Sequence, residues 1–228
     1  MCPPSDLAIA EAQDPDDRAY KHLSEHSLDT PILKAAYAHA AELLHPAILN
    51  HSIRVYLYAY ALAKHESSKY FTDVHQRDLL FTACLFHDIG TTQSYDGPQR
   101  FEIEGADAAV KLLSGFGVGG TEAHDVWTAI ACHTSPQIAE RIGELSRLVR
   151  VAVVTDFGRR GDNYEVLQSL TEKLEARYER AGIEKVLGDA VVEQAKRKPE
   201  KAPKVSWPRA MYEAWLVEPE WDGVNKAF

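Results

Sequence analysis

Leu85-Phe86-His87-Asp88-Ile89-Gly90 sets an imidazole beside a carboxylate at the end of an apolar run. Neighbouring side chains on an α-helix diverge by about 100°, so a His-Asp step normally sends one group inward and the other to solvent. The pair can converge where the helix stops, and Ile89-Gly90-Thr91-Thr92 reads as a stop with Gly90 at the permissive C′ position. A helix over about Asp78 to Ile89 puts Leu80, Ala83, Cys84 and His87 on one face, which turns His87 into the core.

The flanking segments repeat this pattern. Thr30-Pro31 reads as an N-cap followed by proline at the first helical position, opening a helix through Ile32, Tyr37, Ala40 and Leu44. Pro46 restarts the chain, and the spacing predicts a helix from Ala47 to His65 on which His51 shares a face with Ala47, Val55, Tyr58 and Leu62. Residues 92–100, with Asp96-Gly97-Pro98, form a loop. A helix over Phe101 to Leu113 ends in the glycine-rich 115–120 stretch, and Thr121 caps the next, where Val126, Ala129 and Ile130 share the face of His133. Leu145 to Phe157 is rich in β-branched residues but has no partner strands, so it reads as a buried helix carrying Asp156 with Leu148, Val149, Ala152 and Val153. Amphipathic segments follow at Tyr164–Leu170, Lys173–Ala181 and Ile183–Lys198, then a basic linker at Lys196–Lys204 and an aromatic stretch with Trp207, Tyr212, Trp215 and Trp221. The predicted fold is all-α: an N-terminal arm over 1–29, one helical metal-binding domain over 30–200, and an aromatic-rich extension over 201–228 packing on that domain.

Composition narrows the function. The 228 residues are 45% hydrophobic and 26% charged, as in an ordinary globular protein. A net charge of −9, from 34 acidic and 25 basic residues, disfavours nucleic acid as the partner, since that binding draws on clustered Lys and Arg, and leaves a small-molecule substrate. No apolar run approaches the roughly 20 residues of a membrane span, and the start shows no secretion signal, so a cytoplasmic location is expected, with the nucleus open. Cys2, Cys84 and Cys132 have no paired spacing and suit buried thiols in a reducing compartment. Trp207, Trp215 and Trp221 are expected to be exposed, covering a neighbouring copy in a homo-oligomer or forming a lid over the pocket.

His51, His87, Asp88 and Asp156 should each face inward on its own element. Buried imidazoles and carboxylates need compensation, and one divalent metal taking all four supplies it, with zinc, iron and manganese all suited to the donors. With one coordination position left to water, such a metal lowers the water's pKa towards about 7. The remaining histidines, including His39, His45, His75 and His124, read as surface or loop residues.

His51, His87-Asp88 and Asp156 resemble the H…HD…D pattern of the HD-domain superfamily, all-α metal-dependent hydrolases that are mostly phosphohydrolases. Over residues 45–160 the chain resembles one branch more closely, the fungal cyanamide hydratases. The matching stretches are 46–55 (PAILNHSIRV), 85–92 (LFHDIGTT), Arg100-Phe101-Glu102, 130–134 (IACHT) and Thr155-Asp156-Phe157-Gly158. The resemblance implies one metal, most often Zn2+ with Fe2+ or Mn2+ as alternatives, on His51, His87, Asp88 and Asp156. It implies a hydro-lyase that adds water across the carbon-nitrogen triple bond of cyanamide to give urea. Glu102, His133 and Asp88 are then the candidate catalytic residues, and Thr92 and Thr134 candidate substrate contacts. Isonitriles, nitriles and imines ask nearly the same of such a site. Many phosphohydrolases of the superfamily carry a lysine soon after the His-Asp pair. Here Thr91-Thr92 follow Gly90, leaving Arg54 and Arg100 as the basic groups within reach and favouring a small neutral substrate over a phosphomonoester. A third class, a helical binding module without catalysis, would bind less than one metal per chain.

Overall fold

Helices begin where the sequence supplies caps. In the computed structural model, which describes residues 30–159 and 164–228, the Thr30 hydroxyl accepts the Leu33 amide and Pro31 fills the first position of α1 (Pro31–Leu43). The same hydroxyl donates to Asp78 Oδ1 at 2.7 Å, tying α1 to the helix over Val74–Phe86. α2 (Pro46–His65) opens on a proline after His45, whose Nδ1 accepts the Ala47 amide. Most of α2 is buried, because the helices over Val74–Phe86, Glu144–Asp156, Tyr164–Arg177 and Ile183–Arg197 all pack around it. A short α3 (Lys69–Thr72) leads into α4 (Val74–Phe86). α5 (Phe101–Ser114), α6 (Gly120–Ala131), α7 (Glu144–Asp156), α8 (Tyr164–Arg177), α9 (Ile183–Arg197) and α10 (Trp207–Val217) complete the bundle. The described residues contain no strand, as the sequence predicts. The expected N-terminal arm, residues 1–29, lies outside the described residues.

Several boundaries differ from expectation, each for a local reason. α4 starts at Val74 because Asp73 caps it through the Gln76 amide, so Asp78 lies inside the helix. It ends at Phe86, and a 3₁₀ turn over Ile89–Thr91 replaces its predicted last turn. Gly90 has no positive φ and is therefore not a C′ glycine; a Cβ there would overlap the Phe101 carbonyl oxygen. Its absent side chain instead lets the turn after α4 seat on the start of α5, where Gly105 makes the complementary approach to the Phe86 carbonyl. Thr121 sits in the first turn of α6, whose cap is Gly119. The two segments expected over 164–181 are mostly one helix, α8, since no Gly or Pro separates them.

The carboxyl-terminal segments fold back onto the site. The region read as a basic linker contains a 3₁₀ turn, Pro199–Lys201, whose Lys201 is only 2% exposed. Its Nζ lies 3.3 Å from Asp96 Oδ1 and donates to the Gly97 carbonyl, clamping the 92–100 loop. Of the three tryptophans expected at the surface, Trp221 is exposed, whereas Trp215 is half-buried, stacked on Tyr212 with Lys196 against its ring. Trp207 packs edge-on against Phe101 and turns inward.

Candidate metal centre

Asp88 holds the centre of the site. His87 closes α4 with helical dihedrals (φ −60°, ψ −30°), and Asp88 then leaves the helix (φ −109°, ψ 1°). That change of direction brings the two side chains back together: His87 Nε2 lies 3.2 Å from Asp88 Oδ2. From α2, His51 Nε2 approaches to 3.2 Å from His87 Nε2 and 3.7 Å from Asp88 Oδ2. Donors bonded at about 2.0–2.1 Å to one tetrahedral ion stand about 3.3 Å apart, so these three atoms match one coordination sphere. His51, His87 and Asp88 are all buried, with ligand atoms within 4.8 Å of one another.

The imidazoles are oriented for this purpose. His87 Nδ1 donates to the Cys84 carbonyl at 2.7 Å, and His133 Nδ1 donates to the Ile130 carbonyl at 2.7 Å. His51 Nδ1 donates to Asp156 Oδ2 at 2.7 Å. Each ring thus spends Nδ1 outward and presents Nε2 to Asp88, the arrangement by which outer partners fix metal-binding histidines. Neither Asp88 oxygen accepts a well-formed hydrogen bond among the described residues, although the residue is 1% exposed and His133 Nε2 stands 3.5 Å from Oδ1. A buried carboxylate left so bare is costly unless a cation meets it. Burial opposes its ionisation, but the neighbouring His87 and His133 rings hold its carboxyl well below the ordinary range. Burial also lowers the His51 pKa despite the Asp156 contact, favouring the neutral ring that a metal requires. For His87 burial acts in the same sense, but the Asp88 charge outweighs it and the pKa rises.

Asp156 sits behind His51. Arg54 Nε and Nη2 donate to its two oxygens at 2.7 and 2.8 Å, and the Arg180 guanidinium donates to its backbone carbonyl. Its link to the three-residue cluster runs through the Nδ1 side of His51, the far side from Nε2. Arg54 is fully buried and spends Nη1 on the Tyr178 carbonyl, so it does not reach a substrate. This differs from the expectation that Arg54 is within reach of a substrate, and its place three residues after His51 in a largely apolar helix is the signal that could have assigned the internal role.

The cluster opens into a cavity of about 510 Å³. His133, Thr134, Arg100 and Arg150 line it beside His51, His87 and Asp88, while Glu102 and Thr92 do not. Glu102, fully buried, grips Arg100 through a two-point ion pair and accepts the Thr134 hydroxyl at 2.7 Å. Thr134 therefore faces the cavity with its hydroxyl proton already spent, and Arg100 Nη2 donates to the same oxygen at 3.1 Å. The Thr92 hydroxyl caps the preceding turn by donating to the Ile89 carbonyl. Arg150 pairs with Glu140 and donates to the His133 carbonyl. His39, expected at the surface, stacks on Phe86 and hydrogen-bonds Tyr95 at 2.6 Å, while His45, His75 and His124 are exposed.

Residues 48–158 match the HD domain family model. The matched segment runs from the start of α2 to the glycine after α7 and contains every residue of the cluster. HD domains bind divalent metals and act as metal-dependent hydrolases, phosphohydrolases among them, which fits the His-His-Asp group described above. The match carries nothing specific to the cyanamide hydratase branch. No curated protein matches the chain. Among the described residues no helix is long and apolar enough to cross a membrane.

Proposed function

We propose that the chain is a metal-dependent hydratase of cyanamide hydratase type, adding water across a carbon-nitrogen multiple bond of a neutral substrate. The observation that carries this reading is the pairing of the cationic wall: Arg100 is neutralised by Glu102 and Arg150 by Glu140. A phosphomonoester site instead presents cationic donors free to take the phosphate charge. The proposed ligands are His51, His87 and Asp88, with Asp156 fixing the His51 tautomer. A divalent ion, Zn2+ first and Fe2+ or Mn2+ as alternatives, supplies an activated water when bound.

The chain's own groups complete the chemistry. His133 Nε2 faces the same centre with Nδ1 already donating, so it takes a proton as the nucleophile forms and returns one to the substrate nitrogen. Arg100, held by Glu102 and Thr134, lines the cavity, where its guanidinium stabilises negative charge developing on that nitrogen. In this reading Glu102 is a positioning residue that acts through Arg100.

A second reading is favoured by one observation: Arg159 also lines the cavity, at an exposed position. It would let the site take a phosphomonoester. Incubating metal-loaded protein with cyanamide and measuring urea decides between the two. Urea formation that is lost in His133→Asn supports the hydratase. No urea above background, together with hydrolysis of p-nitrophenyl phosphate, refutes it.

A further inference from the structure

The cavity is far larger than the addition of water to a three-atom substrate requires. A water-sized group occupies about 30 Å³, so cyanamide would fill a small fraction of 510 Å³. Much of the wall around the surplus space is apolar. Phe157 stands 4.6 Å from the His51 ring, Phe228 packs edge-on 4.9 Å from Phe157, and Trp207 packs edge-on 5.6 Å from Phe228. These rings form one continuous apolar path from a metal-binding imidazole outwards, and Val153 and Leu187 extend the same wall.

Three of these groups come from outside the matched residues 48–158: Leu187 on α9, Trp207 on α10 and the carboxyl-terminal Phe228. They are held there by the buried Lys201–Asp96 clamp and by the docking of α10 on α9. A wall of this size and character matches pockets that enclose a ligand's apolar body while a few polar groups fix its reactive end. Left to water alone, it would forgo the gain from burying apolar surface.

We infer that the substrate carries its carbon-nitrogen group on an apolar body, aromatic or branched, that lies along Phe157, Phe228 and Trp207 while the reactive group sits at His51, His87 and Asp88. This rests on the hydration reading for the chemistry and on the cavity wall for the body. Cyanamide is then a minimal substrate and N-substituted cyanamides or aryl nitriles are better ones. Their products, the matching ureas or amides, bind through the same wall.

The test uses the full chain loaded with zinc. Steady-state turnover of cyanamide and N-benzylcyanamide is compared, and the binding of urea and N-benzylurea is measured by calorimetry. Expected are a kcat/KM at least tenfold higher for N-benzylcyanamide and binding at least tenfold tighter for N-benzylurea. Trp207→Ala should shrink both ratios at least fivefold at unchanged helical content and metal content; Phe228→Ala serves if that variant does not fold. Ratios near one with active cyanamide turnover overturn the inference and leave the hydratase standing. Tight N-benzylurea binding without turnover of either cyanamide supports the apolar body and refutes the hydratase. Weak binding with no turnover overturns both.

Discussion

Glu102→Gln separates two roles for a buried carboxylate. Glu102 has no solvent exposure; Arg100 Nε donates to its Oε2 at 3.0 Å, Arg100 Nη2 to its Oε1, and Thr134 to its Oε1 at 2.7 Å. Glutamine keeps one acceptor but turns an NH2 group towards a guanidinium nitrogen, replacing an attraction by a clash of donors. A hydrogen bond to a charged group contributes about 1.5–3 kcal/mol, and the Arg100 side chain keeps some solvent access at 22% exposure. The expected loss of stability is therefore about 2–3 kcal/mol, below the roughly 3–5 kcal/mol of a fully buried broken pair. Stability is read by urea unfolding, metal by elemental analysis and turnover by urea release. With Arg100 loosened from the cavity wall, kcat/KM should fall about 10–100-fold, or about 1.4–2.7 kcal/mol of transition-state stabilisation. Metal content should stay at one per chain, and the pH profile of the remaining activity should keep its shape, because Glu102 moves no proton. Loss of the metal would refute the reasoning by making Glu102 a support of the ligands. Loss of one limb of the pH profile would refute it by making Glu102 the acid or base.

Three other perturbations test the frame around the site. Gly90→Ala should destabilise the fold by about 3 kcal/mol in urea unfolding, because the new methyl group meets the Phe101 backbone; a change under about 0.5 kcal/mol would show that the turn after α4 can shift. Chelation should lower the melting temperature by roughly 5–10 °C, since a ligand at 100 times its Kd contributes about 2.7 kcal/mol and 1 kcal/mol moves a chain of this size about 2–4 °C. Zinc, iron and manganese are then added back in turn, and recovery with none of them would count against a metal centre. Asp96→Asn removes the carboxylate facing Lys201, Arg197 and Lys198, which outweigh burial and hold its carboxyl below the ordinary range. A depressed folded-state pKa contributes stability that is present above the unfolded value, about 3.9, and fades as pH falls through the folded one. The variant should therefore be about 2 kcal/mol less stable than the parent at pH 7, with the gap closing at acid pH; a gap constant with pH would assign the loss to packing.

The parts of the site legible in the sequence are those set by helical periodicity. His51 and His87 were found because each shares a face with apolar neighbours, and their meeting follows from α2 packing on α4. The His-Asp convergence was legible from the helix stop, but the reason Gly90 is required was not, since it lies in a backbone approach from α5, distant in sequence. Asp156 illustrates the limit further. Periodicity turns it inward, but only the three-dimensional placement of Arg54 and Arg180 shows how its oxygens and carbonyl are engaged. Glu102 stood out as a carboxylate near the site, yet its partner Arg100 precedes the helix on a loop, where no periodicity assigns direction. His39 was misplaced for the same reason: the Tyr95 that meets it belongs to a single 3₁₀ turn within a polar loop.

The residues after the His-Asp pair bear on the choice between phosphate and neutral substrates in a way the sequence reading only half captured. Thr91 donates its hydroxyl to the Asp88 carbonyl and Thr92 to the Ile89 carbonyl, so both side chains are consumed in tightening the turn that aims Asp88. A lysine at either position would give up that hydroxyl bond, and no lysine lines the cavity among the described residues. Positive charge reaches the cavity instead from Arg100, before α5, and from Arg150, on α7, each with its own carboxylate, and from the exposed Arg159. Arg100 and Arg150 with their carboxylates thus form a wall of oriented N–H donors with little net charge. Such a wall suits charge that appears only during reaction better than charge a substrate brings with it, because paired donors respond to a developing anion without first having to be desolvated around a permanent one. On the proposed reading, with the side chains of Thr91 and Thr92 spent on the turn, substrate selection falls to α9 and α10, where Leu187 and Trp207 supply apolar surface to the cavity.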